Sequence, residues 1–156
     1  MWPKTVMKIL AAFFVLLAVS CASTSNSPTT PATATVTINR INPRAGETVD
    51  FASVIDAEVE YSITNFSPSA EYFIAPLFDS TEGRGHTFNE YVRISDAPRI
   101  SVPSGVVRFR YPISKEWQNR KLAKPVRLTF YVMVRSGQHT TKVIGKSETV
   151  QFGPAA

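Results

Sequence analysis

Side chains suited to nucleophilic or metal chemistry are scarce in this chain, which has one cysteine, Cys21, and two histidines, His86 and His139. Cys21 stands just beyond an apolar run, Ile9 to Val19, that follows Lys4 and Lys8. The run has 11 residues. A helix needs roughly 20 to cross a hydrocarbon core of about 30 Å, so the run reads as the core of an export signal rather than a membrane span. A thiol placed at the end of such a core reads as a point of lipid attachment. Acylation would also remove Cys21 as a nucleophile.

The two histidines are read through their neighbours. His139 lies in Ser136-Gly137-Gln138-His139, a hairpin-turn sequence, and reads as an exposed turn residue. Around His86 lie Asp79, Glu82, Asn89 and Glu90, oxygen donors that a loop could gather around Ca²⁺, with Gly83 and Gly85 permitting a tight backbone. Their spacing matches no calcium loop, so a solvated loop is expected and no metal is assigned. Glu58 and Glu60 occupy adjacent outward positions on one strand, which favours solvated surface over a catalytic base. Asn65-Phe66-Ser67 matches a glycosylation acceptor, but Pro68 follows directly and the segment reads as a turn. No Gly-rich phosphate loop, zinc-ligand spacing or Gly-x-Ser-x-Gly elbow occurs. The expectation is a protein that is not an enzyme and uses no cofactor.

The residues Leu17-Ala18-Val19-Ser20-Cys21 resemble the bacterial lipobox, with Ala18 where leucine is more usual. The resemblance implies a signal peptide over residues 1–20 and a diacylglyceryl thioether on Cys21 as the mature N-terminus. Ala22, rather than aspartate, after the cysteine implies sorting to the outer membrane in a cell with two membranes. The competing reading, an ordinary secretory signal cut near Ala22, would discard Cys21. Each buried acyl methylene contributes about 0.8 kcal/mol, so two chains hold a protein at a membrane without a second anchor. From Ala22 to Thr35, eight of fourteen residues are Ser or Thr, two are Pro and none is charged. Such a segment cannot bury a core, and residues 21–35 are expected to form a flexible tether. A coil of this length spans on the order of 20 Å, and fully extended about 45 Å.

About 120 residues remain, enough for one domain over 36–153. Apolar residues alternate with the strand period in Val36/Ile38, Val59/Tyr61/Ile63, Val107/Phe109/Tyr111 and Val126/Leu128/Phe130/Val132/Val134, and these are the expected core. Turn signals stand at Asn42-Pro43, Ala45-Gly46, Ser67-Pro68, Gly83-Arg84-Gly85, Pro103-Ser104-Gly105, Ser136-Gly137 and Gly153-Pro154. The best helical candidate, Ser114 to Leu122, is short enough to be one or two turns between strands. The expected fold is all-β, a two-sheet antiparallel β-sandwich of 7–8 strands. In strand count and spacing it resembles immunoglobulin-like and fibronectin-III-like domains of bacterial surface proteins. It lacks their inter-sheet cysteine pair and has Thr129 where a tyrosine corner would place tyrosine.

Charge is unevenly distributed. Residues 36–96 carry 4 basic and 10 acidic groups, whereas residues 97–156 carry 11 basic and 2 acidic. Lys115, Arg120, Lys121, Lys124 and Arg127, with Trp117 among them, form a candidate binding patch for an anionic envelope polymer or an acidic protein face. The opposing possibility is that the acidic half neutralises the basic half within the fold, with Trp117 capping the core. A second candidate surface is the outward side of the strand from Val126: Arg127, Thr129, Tyr131, Met133 and Arg135, either an apolar spot rimmed by arginines or a face under a neighbouring loop. The export signal argues against nucleic acid as a partner. The leading expectation is a lipid-anchored binding or assembly module for another envelope protein. The alternative is direct binding of peptidoglycan or lipopolysaccharide through the basic half.

Overall fold

A computed structural model of the protein describes residues 30–50, 52–79, 83–87, 97–114 and 123–153. Among these the chain forms nine strands: β1 (Thr33–Asn42), β2 (Val54–Thr64), β3 (Tyr72–Asp79), β4 (Gly85–Thr87), β5 (Arg99–Ile100), β6 (Ser104–Pro112), β7 (Val126–Arg135), β8 (Thr141–Lys146) and β9 (Val150–Phe152). They build two antiparallel sheets, one ordered β1-β2-β6 and the other β4-β3-β7-β8, with β5 also pairing β3 and β9 also pairing β7. The fold is the expected all-β sandwich of two antiparallel sheets. The candidate helical turn after Ser114 lies outside the described residues.

Alternation in the strands explains the core. On β2, Ile55, Ala57, Val59, Tyr61 and Ile63 are buried, while the alternate residues Glu60, Ser62 and Thr64 are exposed. The inward residues of β1, β2, β6 and β7 meet in one cluster that contains Val36, Val59, Phe109, Leu128 and Phe130. The two sheets touch through aromatic pairs: Phe109 and Phe130 have ring centroids 5.0 Å apart, and Phe78 meets Tyr111 edge-on at 6.4 Å. Such pairs contribute about 0.5–1.5 kcal/mol beyond the burial of their area.

β3 does not alternate. Tyr72, Phe73, Ile74, Ala75 and Phe78 are all buried, because its outer face is covered as well. There Phe73, Ala75 and Met133 form a second small cluster beneath Ala97. Pro76 stands inside this central strand with no N–H to donate. The Ile74 N–H donates to the Pro98 carbonyl, so on this side the even-numbered residues of β3 face the neighbouring chain. The missing donor of Pro76 therefore falls between the end of the β5 pairing at Ile74 and the start of the β4 pairing at Leu77.

Two boundaries differ from the sequence reading. β1 begins at Thr33 and takes in Thr33, Ala34 and Thr35, residues whose composition suggested tether, because their backbone pairs with Thr64, Ile63 and Ser62. Pro103-Ser104-Gly105 is not a turn: Ser104 and Gly105 open β6. Gly105 lies opposite Tyr61, and a Cβ there would meet the Tyr61 hydroxyl at 3.0 Å. The tyrosine ring fills the space the glycine leaves, and burial pushes the Tyr61 phenol above its ordinary pKa. The turns at Ala45-Gly46, Ser67-Pro68 and Ser136-Gly137 stand where the sequence put them, whereas Gly85 opens β4 and Pro154 lies outside the described residues. Asn65 ends β2 with φ 57°, a left-handed conformation that asparagine tolerates, and the Ser136 N–H donates to the Thr140 carbonyl across the β7–β8 hairpin.

One margin of the sandwich is closed. At β8, a Cβ on Gly145 would stand 2.1 Å from the Ala34 carbonyl oxygen, so glycine is what allows β8 to approach β1. At the end of the molecule the β1–β2 connection is tied to β9 by the Gly46 N–H to the Gln151 carbonyl and the Gly153 N–H to the Glu47 carbonyl, both 2.8 Å.

Candidate binding surfaces

Strands from the acidic part of the chain lie beside strands from the basic part, and the charges pair across them. Arg108 Nε lies 3.0 Å from Glu58 Oε2, Arg110 Nη1 3.7 Å from Asp56 Oδ1, and Arg127 Nε 2.8 Å from Asp79 Oδ2. Glu71 receives both Arg99 Nη1, at 3.6 Å, and Arg135 Nε. Each of these five pairs, the ones present among the described residues, joins an acid from residues 36–96 to an arginine from residues 97–156. The neutralising reading therefore describes them better than a basic face does.

Of the expected basic patch, Lys115, Trp117, Arg120 and Lys121 lie outside the described residues, as does Cys21. Lys124 is exposed just ahead of β7, and Arg127 is engaged by Asp79 at the same end of the sandwich, where the Ala123 N–H donates to the Asp79 carbonyl. Asp79, one of the oxygens considered for Ca²⁺, is thus an arginine partner; Glu82, Asn89 and Glu90 lie outside the described residues. No group of three or more His, Cys, Asp or Glu gathers as metal ligands among the described residues. His139 is exposed in the β7–β8 turn.

The outer side of β7 is a covered face. Met133 is buried beneath Ala97, Tyr131 packs beside it, and Thr129 is buried with its hydroxyl 2.8 Å from that of Thr149. Arg99 and Arg135 bracket Phe73, their guanidinium carbons 6.0 and 5.5 Å from its ring centroid, and Glu71 holds both. The alternative of a neighbouring loop is the one realised, and no open Tyr131–Met133 spot exists.

The outer face of the β1-β2-β6 sheet is laid out in rows. Register aligns Arg40 with Glu58 and Arg108, Asn42 with Asp56 and Arg110, and Thr37 with Glu60 and Val106. An open depression of about 400 Å³ is lined by Arg40, Asp56, Glu58, Arg108 and Arg110. Glu58 and Glu60, weighed as a base, are tied to Arg108 and to the Asn39 amide respectively. Their positions are those of surface carboxylates.

β6 is the margin of this sheet, and no described strand pairs with its far side. The Ile63 N–H donates to the Pro103 carbonyl, and the Ile113 N–H to the Ser53 carbonyl. The antiparallel alternation between those ends assigns the odd-numbered residues of β6 to the ladder with β2. The N–H and C=O groups of Ser104, Val106, Arg108 and Arg110 consequently point away from β2. Pro112, which lacks an N–H, falls on the same outward parity, where no ladder bond is lost. Val102 and Val106, 50% and 53% exposed, stand along this margin.

No family model and no curated protein matches the chain. No helix among the described residues is long and apolar enough to cross a membrane. Any functional argument for this protein therefore starts from its surfaces, and the β6 margin is the one the sequence reading missed. The alternation Val106, Arg108, Arg110 was legible as an outward side. That β6 ends its sheet depends on which strands become its neighbours, and a single strand carries no sign of that.

Proposed function

We propose that this protein is a lipid-anchored, non-catalytic module of the cell envelope that holds another envelope protein. Acylated Cys21 fixes the chain to a membrane, the outer one in a two-membrane cell, and the Ser/Thr/Pro segment lets the sandwich stand away from the lipid. The carrying observation is the β6 margin: a nine-residue strand with outward-pointing backbone groups and the half-exposed Val106, with Val102 half-exposed just ahead of it. Such a margin is a template for an added strand, whose main-chain hydrogen bonds give affinity.

The alternative, an anionic polymer bound by the basic half, is less well supported. Arg99, Arg108, Arg110, Arg127 and Arg135 already have carboxylate partners, which lowers the field they would offer a polyanion.

The test is in-cell photo-crosslinking of full-length protein with benzoyl-phenylalanine at Val106, compared with the same residue at Thr35 on the opposite margin of the sheet. A discrete protein adduct from position 106 and none from 35 is expected. Peptidoglycan, lipid or nothing attached at 106 would overturn the reading.

A further inference from the structure

The β6 margin also specifies what kind of strand would dock there. The row through Glu58 runs arginine, carboxylate, arginine across β1, β2 and β6, and the row through Asp56 ends on Arg110. Arg108 and Arg110 are 84% and 77% exposed, each with an acid on the β2 side and no described residue on the other. Arg108 meets Glu58 through Nε alone, and Arg110 meets Asp56 through Nη1 at 3.7 Å, longer than a hydrogen bond. A guanidinium carries five N–H donors, so both keep donors for a second carboxylate. Val106, two residues before Arg108 on the same face, lies beside Glu60 without a charge of its own.

We infer that the β6 margin binds an extended segment of a partner protein with carboxylates at two alternate positions, facing Arg108 and Arg110, and an apolar side chain over Val106. This rests on the docking role proposed for β6 and adds the chemistry of the partner. A residue directly opposite on a neighbouring antiparallel strand has its Cα about 4.5–5.5 Å away, within reach of a guanidinium. The added strand continues the alternation of charge across the sheet. A second copy of β6 centred on Val106 would set Arg108 against Ser104 and leave its spare donors unmatched. The edge backbone supplies affinity, and the two arginines select among strands.

The experiment measures binding of two labelled peptides to detergent-solubilised full-length protein by fluorescence anisotropy. Each alternates threonine with one valine and two charged residues, glutamates in one and lysines in the other. The glutamate peptide should bind at least tenfold more tightly, with an advantage that shrinks as salt is raised. Arg108→Glu with Arg110→Glu should invert the preference. Arg108→Gln with Arg110→Gln, which adds no like charges beside Asp56 and Glu58, should abolish it with the melting curve retained. Val106→Pro, which removes an outward N–H and no ladder bond, should weaken binding of both peptides. Equal binding of the two peptides, or binding of neither, would overturn the acidic-strand inference. If Val106 still crosslinks to a discrete protein in cells, the docking reading survives that failure; if it does not, both fall. A crosslinked homodimer through Val106 would overturn the inference in favour of a second copy.

Discussion

Closure of the sandwich beside β1 depends on Gly145, and replacing it with alanine tests that closure. A Cβ at 145 would stand 2.1 Å from the Ala34 carbonyl oxygen, 2.7 Å from its carbonyl carbon and 2.8 Å from its Cβ. Ordinary contact begins at 3.4 Å, and the obstacle is mostly backbone, so a rotamer change cannot relieve it. Either β8 lifts from β7 or β1 gives way. Giving way at β1 costs less, because Ala34 is only the second residue of that strand. Releasing it sacrifices the pairing of Thr33 and Ala34 with Thr64 and Ile63, and the packing of a part-buried alanine. Overpacking of this kind costs about 1–3 kcal/mol. The stiffer unfolded chain of the alanine variant returns about 0.4–1 kcal/mol, leaving a net loss of about 1–2 kcal/mol. In a domain of this size that lowers Tm by about 4–8 °C. Gly137→Ala is the control. Its Cβ would meet only the Thr140 hydroxyl, at 2.8 Å, a side-chain end that can rotate away. That variant should stay within about 0.5 kcal/mol of wild type. Thermal melts followed by circular dichroism compare the three proteins, and a Gly145→Ala variant that melts with wild type would refute the contact between β8 and β1.

Phe130 is fully buried with its ring tilted against Phe109, centroids 5.0 Å apart across the sheets, so Phe130→Ala should cost about 3–5 kcal/mol, measured by urea unfolding; an unchanged midpoint would remove it from the core. The Asp50 carboxylate accepts a 2.7 Å hydrogen bond from the Ser53 hydroxyl and a 3.0 Å bond from the Ala52 N–H, and the first of these chiefly holds its pKa below the ordinary 3.8. Its folded pKa being the lower one, the associated stability is fully present above the ordinary value and is lost as pH falls through the lower, folded one. In an NMR titration Ser53→Ala should move Asp50 upward, and an unmoved titration would rule out the hydroxyl as the cause. The intact mass of the mature protein should show a lipid-modified Cys21 as the first residue; an unmodified chain starting near Ala22 would exclude the anchor.

Residues packed on one side only were legible from the sequence. Val36, Val59 and Phe109 were found by period-two alternation because each belongs to a strand with one dry and one wet face. β3 gave no such signal, since the cover over Phe73 and Met133 makes both its faces dry. A proline such as Pro76 is itself a reason not to expect a central strand, and its neighbouring pairings β4 and β5 are too short to show a period. Pro103-Ser104-Gly105 was misread because glycine and serine mark turns unless a cross-strand side chain fills the space, as Tyr61 does over Gly105. The candidate sites were less legible. The outward parity of Tyr131 and Met133 was right, but what covers them comes from Ala97, remote in sequence. The β6 margin could not be seen at all before the order of strands was known.

That same order bears on the lopsided charge distribution. Antiparallel neighbours in this sandwich come from distant parts of the chain: β2 lies beside β6, and β3 beside β7. Among the described residues, five arginines of the second half therefore meet acids of the first half across neighbouring strands. Alternation of sign across a sheet still has to stop at its last strand, and here it stops on arginines. Charged side chains along an edge commonly guard it against chance pairing. Arg108 and Arg110 repel basic strands and leave neutral ones without partners for their spare donors, so the residues that protect the margin also determine what can join it. Specificity of this kind is a difference between partners, carried as much by the strands it rejects as by the one it holds. The rejected strands and the accepted one differ only in the sign of two side chains, and the two labelled peptides vary that sign alone.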